Sequence, residues 1–448
     1  MKFAKLSLAA IAVLGLSSNI FASENKITYN PFGSAKLYYE TVDADNSDND
    51  LFSSGSASGG ALVSGGLTGK INSCFGYGFE AMAVDTLGLE NNLVTKTRMG
   101  AGINRDILDT QFWFPQAYIT YHPCDMGTNT TFKIGRQYLD TPLAFTERWN
   151  LAPNSFDAIV ALNQDIVNTT LVAAYVGRGN GRWGAVTNGD KFQDYGVGVD
   201  SDITGATAQA STLHNVPMLG KKGGAYTLGV ITNLLDGTLP ISVWGYNVQS
   251  VANALWADAG YKLNLGDGMK VDLGAQYGTV MPDADGVDDT SGFGVKLGGN
   301  MSLADMNFGL SVAYSDVDDD GAIALANTAT LKTYGFGGIT GGKKTKLYTA
   351  DIYTDGSHVA IPGSEAYRVK ATTKLNGIGA LAIAYTHNEN SRFNNLDVDE
   401  IDTILSSNIL PGGLNTKLIY MVRDYDQNDK DGKSRDSNHL RLILSKKF

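Results

Sequence analysis

Beyond its first 22 residues the sequence has no apolar run near the roughly 18 residues that an α-helix needs to cross a bilayer, so a helical membrane protein is excluded. Proline is scarce, 10 in 448 residues, and aromatics are plentiful, with 21 tyrosines and 17 phenylalanines. Disordered chains show the reverse balance, so a disordered chain is excluded as well. Histidine is rare and scattered, at His122, His214, His358, His387 and His439. None stands in an H-E-x-x-H pattern, and G-x-S-x-G and phosphate-loop signatures are missing. Basic residues (35) are outnumbered by acidic ones (46), so no nucleic-acid partner is expected. There are two cysteines.

The one long apolar stretch sits at the amino end. "MKFAK" is basic, "LSLAAIAVLGL" is apolar, and "SSNIFA" closes on a small residue before Ser23. That order is a secretory signal peptide over 1–22, cut after Ala22. Cleavage removes Lys2 and Lys5 and takes the formal charge from −11 to −13. The mature region, 23–448, is expected outside the cytoplasm.

What the mature region does contain is alternation. "MNFGLSVAYS" puts Met306, Phe308, Leu310, Val312 and Tyr314 on one face and small or polar residues on the other. "MKVDLGAQYG" and "AYRVKATTK" behave alike, with Val271, Leu273, Ala275 and Tyr277, and then Tyr367, Val369 and Ala371, on the apolar side. Such runs recur near 33–42, 57–69, 76–87, 111–122, 130–138, 158–165, 168–178, 222–234, 238–247, 251–264, 268–280, 291–303, 305–316, 364–375, 377–388, 396–407, 412–424 and 437–448. Short connections such as "LGDG", "LNG" and "LPGG" alternate with long ones at 88–110, 139–157, 179–221 and 317–363, with a short exception near 248–250. An even set of about 18 strands joined this way predicts an all-β fold. It is a transmembrane antiparallel β-barrel with short periplasmic turns and long extracellular loops. A soluble sandwich explains the alternation but not the asymmetry of its connections.

The chain ends "HLRLILSKKF", with Leu440, Leu442, Leu444 and Phe448 on one face and Arg441, Ile443, Ser445 and Lys447 on the other. A strand that stops on Phe448 needs lipid for that ring, while Arg441 and Lys447 point into a wet lumen. The tail resembles the signal that outer-membrane proteins present to the barrel-assembly machinery, with Lys446 where an aromatic is usual. The stretch "QAYITYHP…TFKIGRQYLDTPLAFTERWNLAPNSFDAIV" is similar to the segment that forms the inward-folded third loop of OprD-type porins and related major outer-membrane porins of epsilonproteobacteria. The resemblance implies an eighteen-stranded trimeric channel for small hydrophilic solutes, set in outer-membrane lipid and lipopolysaccharide of a Gram-negative cell. A diffusive porin is therefore the expected function. The rivals are a barrel serving as a surface adhesin and, remotely, a barrel-wall hydrolase using His387.

Three candidate sites follow. The 139–157 loop carries Asp140, Glu147, Arg148 and Asp157 among Phe145, Trp149 and Phe156, a set suited to a charged pore constriction. Arg368, Lys370 and Lys374 on one strand, with Lys417 and Arg423 on another, suggest a basic luminal track. In OprD-type channels a similar ladder guides carboxylates. The net charge of −13 instead predicts cation preference overall. "DVDDDG" sets Asp316, Asp318 and Asp320 before Gly321, half of a calcium loop, but Asn327 replaces the closing Glu. Solvated acidic loop tips are the alternative, and no other cofactor is expected. Finally, Cys74 and Cys124 fall in two short turns one hairpin apart on the same oxidising rim. They are expected to form a disulfide once the turns lean across roughly 10 Å.

Overall fold

Alternation gives each strand a lipid face and a lumen face, and hydrocarbon then requires that no backbone edge be left unpaired. The computed structural model describes residues 27–448 except 90–92, 95, 99–102, 105–109, 182–191, 195–222, 250, 267, 284, 304–305, 331, 334–339, 394–395 and 429–431. The expected signal segment 1–22 and His214 lie outside the described residues. Among the described residues eighteen antiparallel strands close a barrel. The first six are β1 (Asn30–Ala44), β2 (Ala57–Lys70), β3 (Phe75–Asp85), β4 (Gln111–Tyr121), β5 (Thr130–Gln137) and β6 (Phe156–Asn163). Next come β7 (Thr169–Gly179), β8 (Ala225–Leu234), β9 (Leu239–Val248), β10 (Ala252–Gly266), β11 (Met269–Pro282) and β12 (Thr290–Leu303). The circle ends with β13 (Met306–Val317), β14 (Ser364–Leu375), β15 (Gly379–Asn390), β16 (Val398–Leu410), β17 (Leu414–Tyr425) and β18 (Ser437–Lys447). Each strand pairs with the next, and β18 closes on β1 from Ser34↔Lys447 to Ala44↔Ser437. Small two- and three-residue strands, such as Lys96–Arg98 beside β2, extend the external loops.

The faces fall as the alternation demands. Leu273, Tyr277, Leu310, Val312, Tyr367 and Val369 are exposed on the outer surface, where lipid meets them. Phe448 is also exposed, and its backbone exchanges hydrogen bonds of 2.7 and 3.0 Å with Gly33. Its ring lies across that glycine, so any side chain there would displace the terminal aromatic.

Two external connections do not stay outside. Leu151 and Ala152 of loop 138–155 pack inside the barrel on Leu62, Met82, Val84 and Trp113. Loop 318–363 also folds in, burying Ile323–Ala326 and Val359–Ile361 with Leu143 against the inward Trp244, Tyr246 and Trp256. Inward tryptophans would be ill placed in a water-filled pore; here they are cover for loops. Asn327 joins the two loops. Its Oδ1 accepts the amide of Phe145 at 3.0 Å, and its Nδ2 donates to the Phe145 carbonyl and to Glu147 Oε1, both at 2.9 Å. Within loop 318–363, Lys344 forms an ion pair with the buried Asp355. Burial pushes that carboxyl up to about 7, against the pull of Lys344.

Cys74 and Cys124 form a disulfide with Cα atoms 5.3 Å apart. They lie closer than expected because β3 and β4 are themselves neighbours. Phe75 faces Tyr121 in the ladder, and His122 donates its amide to the Cys74 carbonyl at 2.7 Å.

Two outcomes are expected. Unreduced protein should resist thiol alkylation, and the Cys74→Ser/Cys124→Ser double variant should lose up to about 4 kcal/mol in a urea titration, the chain-entropy value for its sequence separation of 50. Asp355, raised in the docked loop and ordinary in an undocked one, stabilises docking below about pH 4, an advantage lost as pH rises through about 7. Open-channel current fluctuations should therefore grow as pH rises from about 4 to about 7 and level off above it, and Asp355→Asn should remove that dependence.

Candidate functional site

Three acidic side chains on the inner wall of the barrel, Glu40, Glu400 and Asp402, are almost fully buried. Period-2 alternation turns all three inward at the level where loop 318–363 crosses the lumen, and the loop supplies what they need. Asp402 Oδ2 accepts the amide of Ile352 at 3.2 Å. Glu400 accepts the amides of Tyr353 and Thr354 and the Thr354 hydroxyl, each at 2.8 Å. The Tyr353 hydroxyl donates to Glu40, which also accepts from Tyr38 at 2.6 Å and from Arg441 Nε at 2.8 Å. Hydrogen bonds contribute about 0.5–1.5 kcal/mol net each, so these contacts together suffice to hold the 351–355 tip on the wall.

Beneath the tip lies a cavity of about 670 Å³, reaching down to Asn408 and Asn415 beside the Pro411–Gly413 turn. Lys36, Arg148, Lys344, Lys417 and Arg441 line it, with Asp351 as the one lining carboxylate among the described residues. Ile404 faces Ile419 across the β16–β17 ladder, and Lys417 faces Ile443 across β17–β18. The wall is thus an apolar diagonal flanked by cations. Trp149 and Ile352 cover it from the loops.

The residues expected at a constriction are not gathered in one place. Arg148 lines the cavity and stacks on Tyr138 at 4.5 Å. Asp140 forms an ion pair with Lys346 at 2.8 Å. Glu147 is buried between the two loops, accepting the Trp149 indole N–H at 2.9 Å as well as Asn327. Asp157 is not in the loop at all. It belongs to β6, where ladder register sets it opposite Arg136, and the two pair at 2.7 and 3.2 Å.

Of the expected basic track, all five side chains alternate inward, but two hold the loop. Arg368 Nε lies 2.8 Å from Asp351 Oδ2, and its Nη1 donates to the Tyr348 carbonyl at 3.3 Å. Arg423 lies against Glu400 at 3.5 Å and the rings of Tyr353 and Tyr425. Lys370, Lys374 and Lys417 enter no ion pair among the described residues. Arg441 points inward as expected, yet meets Glu40 and Tyr353 instead of water.

The calcium half-loop is not assembled. β13 runs through Val317, so Asp316 stays in the ladder opposite Glu365, while Asp318 Oδ1 accepts the Ser291 amide at 2.8 Å. Among the described residues no group of three or more His, Cys, Asp or Glu side chains is placed to hold a metal. His387, the residue expected of a hydrolase, is occupied by Asp399 and Glu389 at 2.7 and 3.1 Å. The entry of loop 318–363 into the lumen does not follow from strand alternation. Its signal was present in the apolar runs "AIALA" and "HVAIPG", out of place in a solvated loop.

Comparisons with known proteins agree with this geometry. A family model described as Campylobacter major outer membrane protein matches residues 1–393. Among solved structures, the barrel is similar to Pseudomonas aeruginosa OccD3 (OpdP), with 15% identity over 98% of this chain and 97% of that one and a TM-score of 0.63. Pseudomonas aeruginosa OccK9 (OpdG) is similar at 14% identity over 94% and 98%, with a TM-score of 0.68. OpdK of the same organism, solved with vanillate, is similar at 13% identity over 94% and 98%, with a TM-score of 0.66. No curated protein matches the sequence. A closed eighteen-strand barrel with loops folded into its lumen, matched by that family model over most of its length, places the chain in the Campylobacter major outer membrane protein family, an outer-membrane porin family.

Proposed function

We propose that the chain forms a water-filled channel for passive diffusion of ions and small hydrophilic solutes, and that its periplasmic half guides solutes bearing a carboxylate. One observation carries the reading. Five cations and an apolar diagonal line a cavity of about 670 Å³ inside a barrel whose net charge is −11 before export. The acidic surplus favours cations at the mouths, through the summed field of many carboxylates. The cavity opposes it locally, and a solute with a carboxylate and an apolar body finds both halves of its surface matched. The vanillate in the OpdK structure is a molecule of that kind. We take the channel as a homotrimer seated in lipid and lipopolysaccharide, assembled through the Phe448 strand.

Purified protein in a planar bilayer should give stepwise conductance; a silent bilayer would instead favour a surface adhesin. In a potassium chloride gradient the reversal potential should indicate cation preference. Lys417→Gln should lower uptake of a small carboxylate in liposome swelling by about two- to threefold, the effect of one unit charge roughly 8 Å from the path in a water-like dielectric, and leave neutral sugars unaffected.

A further inference from the structure

Arg368 and Asp351 form a loop-to-wall ion pair that also touches the cavity lining, through Asp351. The 351–355 tip is already fixed by Asp402, Glu400 and Glu40 through the backbone and side chains of Ile352, Tyr353 and Thr354. Asp351 adds to this framework its pairing with Arg368 and a long contact of 3.5 Å from the Thr386 hydroxyl, and the framework delivers its carboxylate to one place. That place is 2.8 Å from Arg368 Nε, in the cavity lining that Asp351 shares with Lys344 and Lys417. Arg368 is therefore met from the loop by the group that a permeating carboxylate would offer it.

We infer that Asp351 is a specificity-determining residue of the channel, an internal carboxylate that occupies the Arg368 seat and keeps solute carboxylates from binding there tightly. The inference rests on the channel reading above. Conduction requires a solute to be held well enough to enter and weakly enough to leave. An uncompensated guanidinium, rigidly forked and matched to a carboxylate, would make a deep well beside the five cations of the cavity lining. With Asp351 in place, a monocarboxylate with an apolar body gains the lysines and the isoleucine diagonal, and can exchange with Asp351 at Arg368 without being trapped.

The test uses the full-length protein in planar bilayers, with potassium benzoate as probe, and wild type beside Asp351→Asn, Asp351→Glu, Arg368→Gln and Lys417→Gln. Heat-dependent gel migration establishes that each barrel is closed. Asp351→Asn should move the anion-to-cation permeability ratio towards anions by about two- to threefold and lengthen benzoate blockades. Arg368→Gln should move the ratio the opposite way, and Asp351→Glu should stay near wild type. A purely structural latch would instead loosen in both variants and shift both in one direction, which would overturn the inference. So would blockades that respond to Lys417→Gln but not to Asp351→Asn, and that outcome would leave the channel reading standing. Absence of conductance in the wild type would overturn the reading itself, and the inference with it.

Discussion

The pairing of the first and last strands is the constraint on which everything else depends. In hydrocarbon an unpaired amide or carbonyl has no water to turn to, so a sheet of this size must close or fail to insert. Here the seam runs over eleven residue pairs from Ser34↔Lys447 to Ala44↔Ser437 and is finished by the Gly33–Phe448 hydrogen bonds. The same seam carries β1 and β18 side by side, and with them Glu40 and Arg441. Closure thus also creates the buried charged pair on which the loop tip is anchored.

A closed barrel of eighteen strands leaves a wide lumen, and the chain fills it unevenly. Apolar inward residues on β9 and β10, Trp244, Tyr246 and Trp256, are buried under the loops. Charged inward residues on β1 and β16–β18 face the tip or the cavity. The open cavity lies on the charged side because the apolar side is occupied. Neither loop does this alone. Loop 138–155 brings Arg148 and Trp149, loop 318–363 brings Lys344 and Asp351, and Asn327 holds the two in register through a fully buried amide.

The wall of this barrel was legible in the sequence and the contents of its lumen only partly. Period-2 alternation and connection length fixed all eighteen strands because both follow from lipid on one side and water on the other. The disulfide was legible because two turns on one rim leave few alternatives. Arg148 and Lys417 were found at the cavity, since a long loop and an inward strand position expose charge to water. Asp157 lies just past a strand boundary that alternation does not mark, and Glu147 and Arg423, whose charge suits a pore, each have a partner inside the protein. Such partners are set by loop 318–363, whose path depends on contacts hundreds of residues apart, such as Tyr353 with Glu40. No local period encodes that. The one clue was the presence of Ile323, Leu325, Val359 and Ile361 in a connection that should have been polar.

The claim that two joined loops set the bore is tested most directly by single-channel conductance of Asn327→Ala. That change removes the partner shared by the Phe145 backbone and Glu147, and leaves the buried Phe145 amide unsatisfied at about 1–3 kcal/mol. The wall, whose hydrogen bonds do not involve Asn327, should remain closed. The account predicts a larger and noisier open-channel conductance than wild type. An unchanged conductance from a folded Asn327→Ala barrel would contradict it.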